Sequence, residues 1–337
     1  MVNEIFPGIY VIPVPLPDNP LKLLNAYLIK GDSRHLLIDT GFNHPDCLQA
    51  LTRAFQQLKV PVQQLDIFIT HLHSDHCGLA GEFPPSETRT IWASKEDAEA
   101  INLLATESEL WHQFMCSWRQ HGCDEETITA LQTNHPGKKY APTQKTNFTL
   151  VKEGDTLQYG GYNLQVLDVP GHTPGHLALY IPEKKILFGG DLILQNITPN
   201  ISYWETMDDA LASYFNSLNK VSRLDIACTL PGHRAVIHDT QGRIAELKKH
   251  YVDRLEETCT ILASGGAMTA TDVASKMQWH IKYDTWKDIV PAQRWFAINE
   301  ALSHLEHLVN TGRVSKQERD GVIYFIATPH YHHEQTR

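Results

Sequence analysis

His71-Leu72-His73-Ser74-Asp75-His76 places four potential metal ligands within six residues. They follow an apolar run, Leu65-Asp66-Ile67-Phe68-Ile69-Thr70, whose β-branched and aromatic content reads as a buried strand. Ionisable side chains at a buried strand end are costly unless something pairs with them. A divalent cation is the natural partner, and imidazole with carboxylate suits Zn, Fe or Mn better than Ca or Mg. A polar loop whose histidines meet water is the simpler alternative. It explains one histidine well and this spacing of four ligands poorly.

Three further segments repeat the form of an apolar run closed by Gly-rich polar residues. Leu164 to Pro170 leads into Gly171-His172-Thr173-Pro174-Gly175-His176. Ile186-Leu187-Phe188 leads into Gly189-Gly190-Asp191, and Ile226 to Leu230 leads into Pro231-Gly232-His233. Each sets a potential ligand just beyond a strand, where glycine lets the backbone turn and approach a neighbour closely. Any one of them alone is a common turn. Their combination in this order is specific.

With Leu37-Ile38-Asp39-Thr40-Gly41, the His71 to His76 cluster, His172, Asp191 and His233, the chain resembles the metallo-β-lactamase-fold hydrolase superfamily. The resemblance spans the first two-thirds of the chain and implies an α/β fold, an αββα sandwich. It implies one metal held by His71, His73 and His172, a second held by Asp75, His76 and His233, and Asp191 bridging them. Two divalent ions are implied, zinc first, with iron or manganese suiting the same ligands. A bridging carboxylate and hydroxide screen the repulsion between two cations, and the cations bring the water's pKa from about 15.7 toward neutrality. Asp75, beside that hydroxide, would take or steer its proton, so Asp75 and Asp191 are the catalytic candidates.

The metal set matches the glyoxalase II type of thioester hydrolase. The basic residues with which those enzymes hold glutathione have no counterpart here. Zinc β-lactamases of the main class carry Cys where Asp191 stands, and flavodiiron proteins carry Glu where His73 stands. The long arm of the tRNA-processing nucleases is absent.

Around the ligands, Asp39 ends the apolar strand Leu36-Leu37-Ile38; the resemblance implies a place near the metals, where it would orient a ligand imidazole, and a turn-capping Asp is the alternative. Thr173 and His176 read as hydrogen-bonding scaffold, and Cys77 as a small residue filling space beside His76. Residues 95–140 interrupt the strand pattern with a helical, aromatic-bearing insertion. Its Trp111, Phe114 and Trp118, with Tyr203 and Trp204 beyond Asp191, are candidate walls of an apolar pocket. The alternative is that they join the insertion to the body. Arg234 follows His233 where relatives often have Gly; it is a candidate to hold an anionic group, with a plain surface side chain as the alternative.

The expected domains are 1–244, the catalytic sandwich, and 245–337. The latter carries a long helix near 292–310 and two strand-like pieces around Asp320-Gly321. Three helices and a hairpin resemble the winged-helix-like appendage of some superfamily members. Nucleic-acid binders show a basic face, but 245–337 carries 11 Lys and Arg against 12 Asp and Glu. A dimer contact or a side wall for the site is the expected role. His330, His332 and His333 read as a solvated tail.

Of 337 residues 42% are hydrophobic, enough for one large domain and a small one. No run of about 18 apolar residues marks a transmembrane helix. Met1-Val2-Asn3-Glu4-Ile5 lacks the pattern of a signal peptide. The six cysteines, at 47, 77, 116, 123, 228 and 259, lack metal or disulfide spacing, as suits a reducing cytoplasm. The expected function is dinuclear metal-dependent hydrolysis of an ester, thioester or lactone of a small molecule, without nucleic acid or membrane as partner. A phosphodiesterase or endoribonuclease with the same metals, and a metal-bound ligand sensor, are the alternatives.

Overall fold

Seven strands form a first sheet in chain order: β1 (Asn3–Phe6), β2 (Ile9–Pro15), β3 (Leu23–Ile29), β4 (His35–Ile38), β5 (Leu65–Phe68), β6 (Ile91–Ala93) and β7 (Thr149–Leu150). The first four pair antiparallel, and β4 to β7 pair parallel. A second sheet has β8 (Thr156–Tyr159), β9 (Tyr162–Asp168), β10 (Leu177–Ile181), β11 (Ile186–Gly190) and β12 (Cys228–Pro231) in the order β12-β11-β10-β9-β8. Only its β11–β12 pair is parallel. The computed structural model describes residues 2–84, 86–106, 111, 115, 117–279 and 282–328.

The two sheets share one core, with Tyr27, Ile38 and Phe68 of the first packed among Leu164, Leu179, Phe188 and Leu230 of the second. Tyr27 meets Phe188 edge-on at 5.4 Å. Strands β4, β5, β10, β11 and β12 are buried along their whole length, as strands covered on both faces must be. Helix Pro45–Leu58 connects β4 to the parallel β5, and buries Cys47, Leu51, Ala54 and Phe55. Its start is set by Pro45 and the His44 cap, and its end by Lys59 at φ 54. This is the expected αββα sandwich. No described helix is long and apolar enough to cross a membrane.

The described residues fall into two compact units. One draws on Met1–Glu107, Pro136–Pro199 and Asn216–Ile244, and the other on Ser108–His135, Asn200–Phe215 and Ala245–Arg337. The stretch 95–140, read above as one insertion, is shared between them. Helix Lys95–Thr106 belongs to the sandwich unit and buries Asp97, Ala98 and Ile101.

The second unit is built around helix Pro291–Asn310, which buries Trp295, Ile298, Ala301, Leu302, Leu305 and Leu308. Its buried positions run around most of the helix, so it serves as an axis rather than a surface helix. Trp118 packs on Trp295 at 5.2 Å, and His135 meets the same ring at 4.4 Å. Arg294, the basic residue of this helix, is buried near Asp124 (3.6 Å) and Glu126 (3.9 Å). From the segment 200–215, Asn200 donates to Glu300 (2.8 Å), and Asp209 pairs with His307 (2.9 Å).

Helix Ala270–Lys276 opens on a Thr269/Asp272 capping box. Strands β13 (Val314–Arg319) and β14 (Val322–Ala327) form an antiparallel hairpin. Its turn residues Asp320 and Gly321 both take positive φ, which the right-handed twist of a two-residue hairpin favours. The hairpin is longer than the short pieces read from the sequence, because Lys316 to Arg319 are all polar and the apolar pattern passes over them.

Candidate metal centre

The apolar strand β5 stops at Phe68, and the chain then turns through Ile69 to His73 into the short helix Ser74–Cys77. Thr40 clamps that helix: its amide and its hydroxyl both donate to the His76 carbonyl at 2.8 Å. The loop after β9 brings His172, the end of β11 brings Asp191, and the end of β12 brings His233. Their donor atoms converge in three overlapping groups: His71, His73 and His172; His71, His76 and Asp191; Asp75, His76 and His233. Asp191 lies between them, with Oδ2 3.7 Å from His172 and 3.6 Å from His233, and Oδ1 3.6 Å from His76. Asp75 stands 3.3 Å from His233.

The hydrogen bonds behind the imidazoles fix their tautomers. His76 Nδ1 faces the Asp39 carboxylate at 2.7 Å, and His233 Nδ1 faces the Leu23 carbonyl at 2.8 Å. Both partners can only accept, so each Nδ1 carries a proton and each Nε2 is the ring atom turned toward the centre. Those two Nε2 atoms stand 3.3 Å apart. His71 repeats the pattern. The Thr70 hydroxyl donates to Asp39 (2.8 Å) and therefore accepts from His71 Nδ1 (3.0 Å), which leaves His71 Nε2 bare, 3.1 Å from His73 Nδ1. Asp191 Oδ1 is buried and accepts no hydrogen bond among the described residues. Buried imidazole nitrogens and carboxylate oxygens converging this closely, with Asp191 Oδ1 accepting nothing, are what a divalent cation satisfies, so these residues fit metal.

The electrostatics agree. Burial, reinforced by His76 and the other neighbouring imidazoles, holds His71 well below the usual histidine range, and burial with His172 brings His73 down to about 3. Burial opposes ionisation of Asp75, yet His76 and His233 outweigh it and hold the carboxyl at about 2. Asp191 is likewise held well below the ordinary range, burial being overcome by His233 and His76. His76 is raised well above the usual histidine range and His233 is raised too, burial being overcome chiefly by Asp191, so the centre keeps ionised carboxylates beside neutral His71 and His73, and a bound cation would take the place of the protons that His76 and His233 attract.

The sequence profile of the metallo-beta-lactamase superfamily matches residues 22–233. The chain belongs to the metallo-beta-lactamase superfamily. A profile for the C-terminal domain of metallo-beta-lactamase-like proteins matches residues 255–328. Among curated relatives of this superfamily member, a protein named probable metallo-hydrolase YqjP from Bacillus subtilis is 23% identical over 316 residues, 89% of this chain and 92% of that one. The acyl-coenzyme A thioesterase MBLAC2 of Gallus gallus is 26% identical over 217 residues, 62% of this chain and 72% of that one. Among solved structures, the metallo-beta-lactamase family protein TTHA1429 from Thermus thermophilus superposes with a TM-score of 0.80 at 29% identity, covering 96% of this chain and all of that one.

The remaining candidates of this metallo-beta-lactamase superfamily chain are placed as follows. Asp39 is buried and bonds His76, the Thr70 amide (2.9 Å) and the Thr70 hydroxyl. Thr173 donates to Asp97 at 2.7 Å. His176 Nε2 accepts from the Asp191 amide at 3.2 Å, so its ring supports the Asp191 turn. Cys77 is buried, its Sγ 3.1 Å from the Leu72 carbonyl, consistent with packing. Arg234 is exposed at φ +70, and its guanidinium makes no hydrogen bond or ion pair among the described residues.

Trp111 and Trp118 are buried within the second unit, Trp111 against His135 (5.2 Å) and Trp118 against Trp295. Tyr203 and Trp204 belong to the same unit and are half-buried. Phe114 lies outside the described residues, as do His330, His332 and His333.

The sequence reading missed Asp97. It sits in the first turn of a helix after Ser94, where an acid is an ordinary N-terminal residue. Its carboxylate is buried, accepting from the Leu72 amide (2.9 Å), the Thr173 hydroxyl (2.7 Å) and the Gly175 amide (2.8 Å). No local pattern distinguishes it from a solvated helix cap.

Proposed function

We propose that this chain is a dinuclear metal-dependent hydrolase of acyl bonds, with thioesters as its preferred class. The observation that carries the reading is the convergence of buried imidazole nitrogens and ionised carboxylates at the strand ends. His71, His73 and His172 would hold one ion, Asp75, His76 and His233 the other, and Asp191 would bridge them. Zinc suits this nitrogen and oxygen set best, with iron and manganese acceptable to the same donors. When bound, two such cations supply Lewis acidity and water activated near neutral pH. Asp39 keeps His76 turned toward the centre. Asp75, ionised at neutral pH, is available to accept the proton released as water adds to the acyl carbon. No serine or cysteine nucleophile is required, and buried Cys77 is held as a thiol, since burial and the nearby Asp75 push its pKa well up.

The acyl-coenzyme A thioesterase among the relatives supports the thioester preference. Arg234, exposed, unpaired and adjacent to His233, is suited to an anionic group on the substrate. Among the aromatic candidates, Trp111 and Trp118 already spend their rings inside the second unit. Tyr203 and Trp204 belong to that unit as well and are half-buried in it. The second unit, with its helices and hairpin, is winged-helix-like in composition. Its axial helix buries Arg294, which supports a small-molecule substrate rather than nucleic acid. Five described cysteines are free, in keeping with a reducing cytoplasm.

The test is a parallel assay of zinc-loaded protein on an acyl-CoA thioester, a lactone and a phosphodiester, with Asp191→Ala as blank. Turnover of the thioester, lost in the variant together with one ion, is expected. Turnover of the phosphodiester alone would move the chain to phosphodiester hydrolysis. An Asp191→Ala protein that keeps both ions and full activity would overturn the bridging assignment.

A further inference from the structure

Three bonds to one buried carboxylate join the two loops that supply the histidine-only half of the centre. Leu72, whose amide bonds Asp97 at 2.9 Å, lies between His71 and His73. Thr173, bonded at 2.7 Å, follows His172 directly. Gly175, bonded at 2.8 Å, closes the same turn. These loops are about a hundred residues apart in sequence, and the carboxylate that spans them comes from a third element, helix Lys95–Thr106. Its other contact is local: the Asp97 amide donates to Ser94 Oγ at 3.2 Å. The approach is close enough to dictate Gly175. A Cβ there would collide with Ser94 Oγ and stand 2.8 Å from both the amide and Oδ1 of Asp97.

The other half is braced separately. His76 leans on Asp39, and His233 on the Leu23 carbonyl. Asp39 reaches the histidine-only half through Thr70 to His71, and among the described residues its side-chain bonds go to Thr70 and His76.

We propose that Asp97 is the positioning residue of the His71, His73 and His172 half, setting the metal affinity of that half independently of the half braced by Asp39. This rests on the seven side chains being metal ligands. The backbone of Leu72 fixes the stem from which His71 and His73 both project, and Thr173 fixes the stem of His172. A carboxylate that accepts from both holds three imidazoles at the mutual spacing one cation needs. Supporting groups of this kind tune metal affinity about 10–100-fold. Burial pushes the Asp97 carboxyl up to about 6, against the pull of its bonds to Thr173, Gly175 and Leu72. It is therefore mostly ionised at pH 7, with its lone pairs available to the two loops.

The experiment is competitive chelator titration of zinc on the full chain, with cobalt absorption reporting the geometry of each half. Wild type is compared with Asp97→Asn, Asp39→Asn and Thr173→Val. In Asp97→Asn the amide nitrogen cannot accept, so one side of the brace is lost. One of the two zinc steps should weaken about 10–100-fold while the other stays within about 2-fold. Asp39→Asn should chiefly weaken the opposite step, and Thr173→Val should give a smaller loss in the same step as Asp97→Asn. Thr173→Val keeps the carboxylate and tests the proposal even if Asp97→Asn does not fold. Two unchanged steps in Asp97→Asn, or equal loss of both steps in Thr173→Val, would overturn the proposal and leave the ligand assignment standing. A wild-type chain that binds no zinc would overturn the ligand assignment itself.

Discussion

At Asp39 the chain takes a left-handed turn, φ +62, a conformation that Asp tolerates better than most side chains. The turn delivers a carboxylate to Thr70 and His76 together. Asp39→Ala should therefore lower zinc affinity about 10–100-fold with far-UV circular dichroism unchanged, measured by metal content after dialysis against a weak chelator. Arg234 takes a similar conformation, φ +70, without that excuse. A left-handed residue with a Cβ costs about 1–2 kcal/mol, so Arg234→Gly should raise stability by roughly 1 kcal/mol in urea melts. If its guanidinium meets the substrate, the same variant should raise KM for an anionic thioester about tenfold and leave kcat alone, the mark of lost uniform binding. A falling kcat with unchanged KM would place Arg234 nearer the chemistry than proposed.

At the scale of elements, each candidate ligand stands where a strand ends, and glycine makes the ending sharp. A Cβ on Gly232 would lie 2.6 Å from Asp191 Oδ1 and 2.7 Å from His76 Cε1. Gly232→Ala should thus strip metal from a chain that still folds, which metal analysis beside thermal melting will check. This arrangement was legible in the sequence, because apolar runs closed by Gly and His, or by Gly and Asp, mark both the strand and its end. Helices Pro45–Leu58 and Pro291–Asn310 were legible from their apolar spacing. The braces were not. Asp97 looks like any first-turn acid until tertiary contacts bury it, and the Leu23 carbonyl that orients His233 leaves no side-chain signature at all. The stretch 95–140 misled for a related reason. Its helical pattern is continuous in sequence, and only packing shows that Lys95–Thr106 goes with the sandwich while Trp118 and His135 go with the Trp295 helix.

At the scale of the whole molecule, the second unit is acid-sensitive in its own right, apart from the metal centre. Burial, with Lys316 nearby, brings His121 down to about 4, and burial brings His135 and His304 to about 3. The native unit then binds fewer protons than the unfolded chain below the ordinary value of about 6.5. Its stability is full above that pH and falls as pH drops toward 4. Glu300, raised to about 7 by burial, works the other way, its contribution fading as pH rises through neutrality. Three histidines against one glutamate leave a net loss in acid, and His304→Gln should flatten the pH dependence of the urea midpoint between pH 6.5 and 4. A chain stopped at residue 244 should aggregate, since 108–135 and 200–215 would lose Trp295, Glu300 and His307 as partners. Light scattering will show whether it does. The patchwork origin of this unit also sets a schedule on the ribosome. His135 leaves the tunnel roughly 160 residues before Trp295, a wait of about 10–30 s at ordinary elongation rates. Throughout that interval Trp118 waits for the Trp295 ring it packs on, and the nascent chain offers its indole to any chaperone within reach.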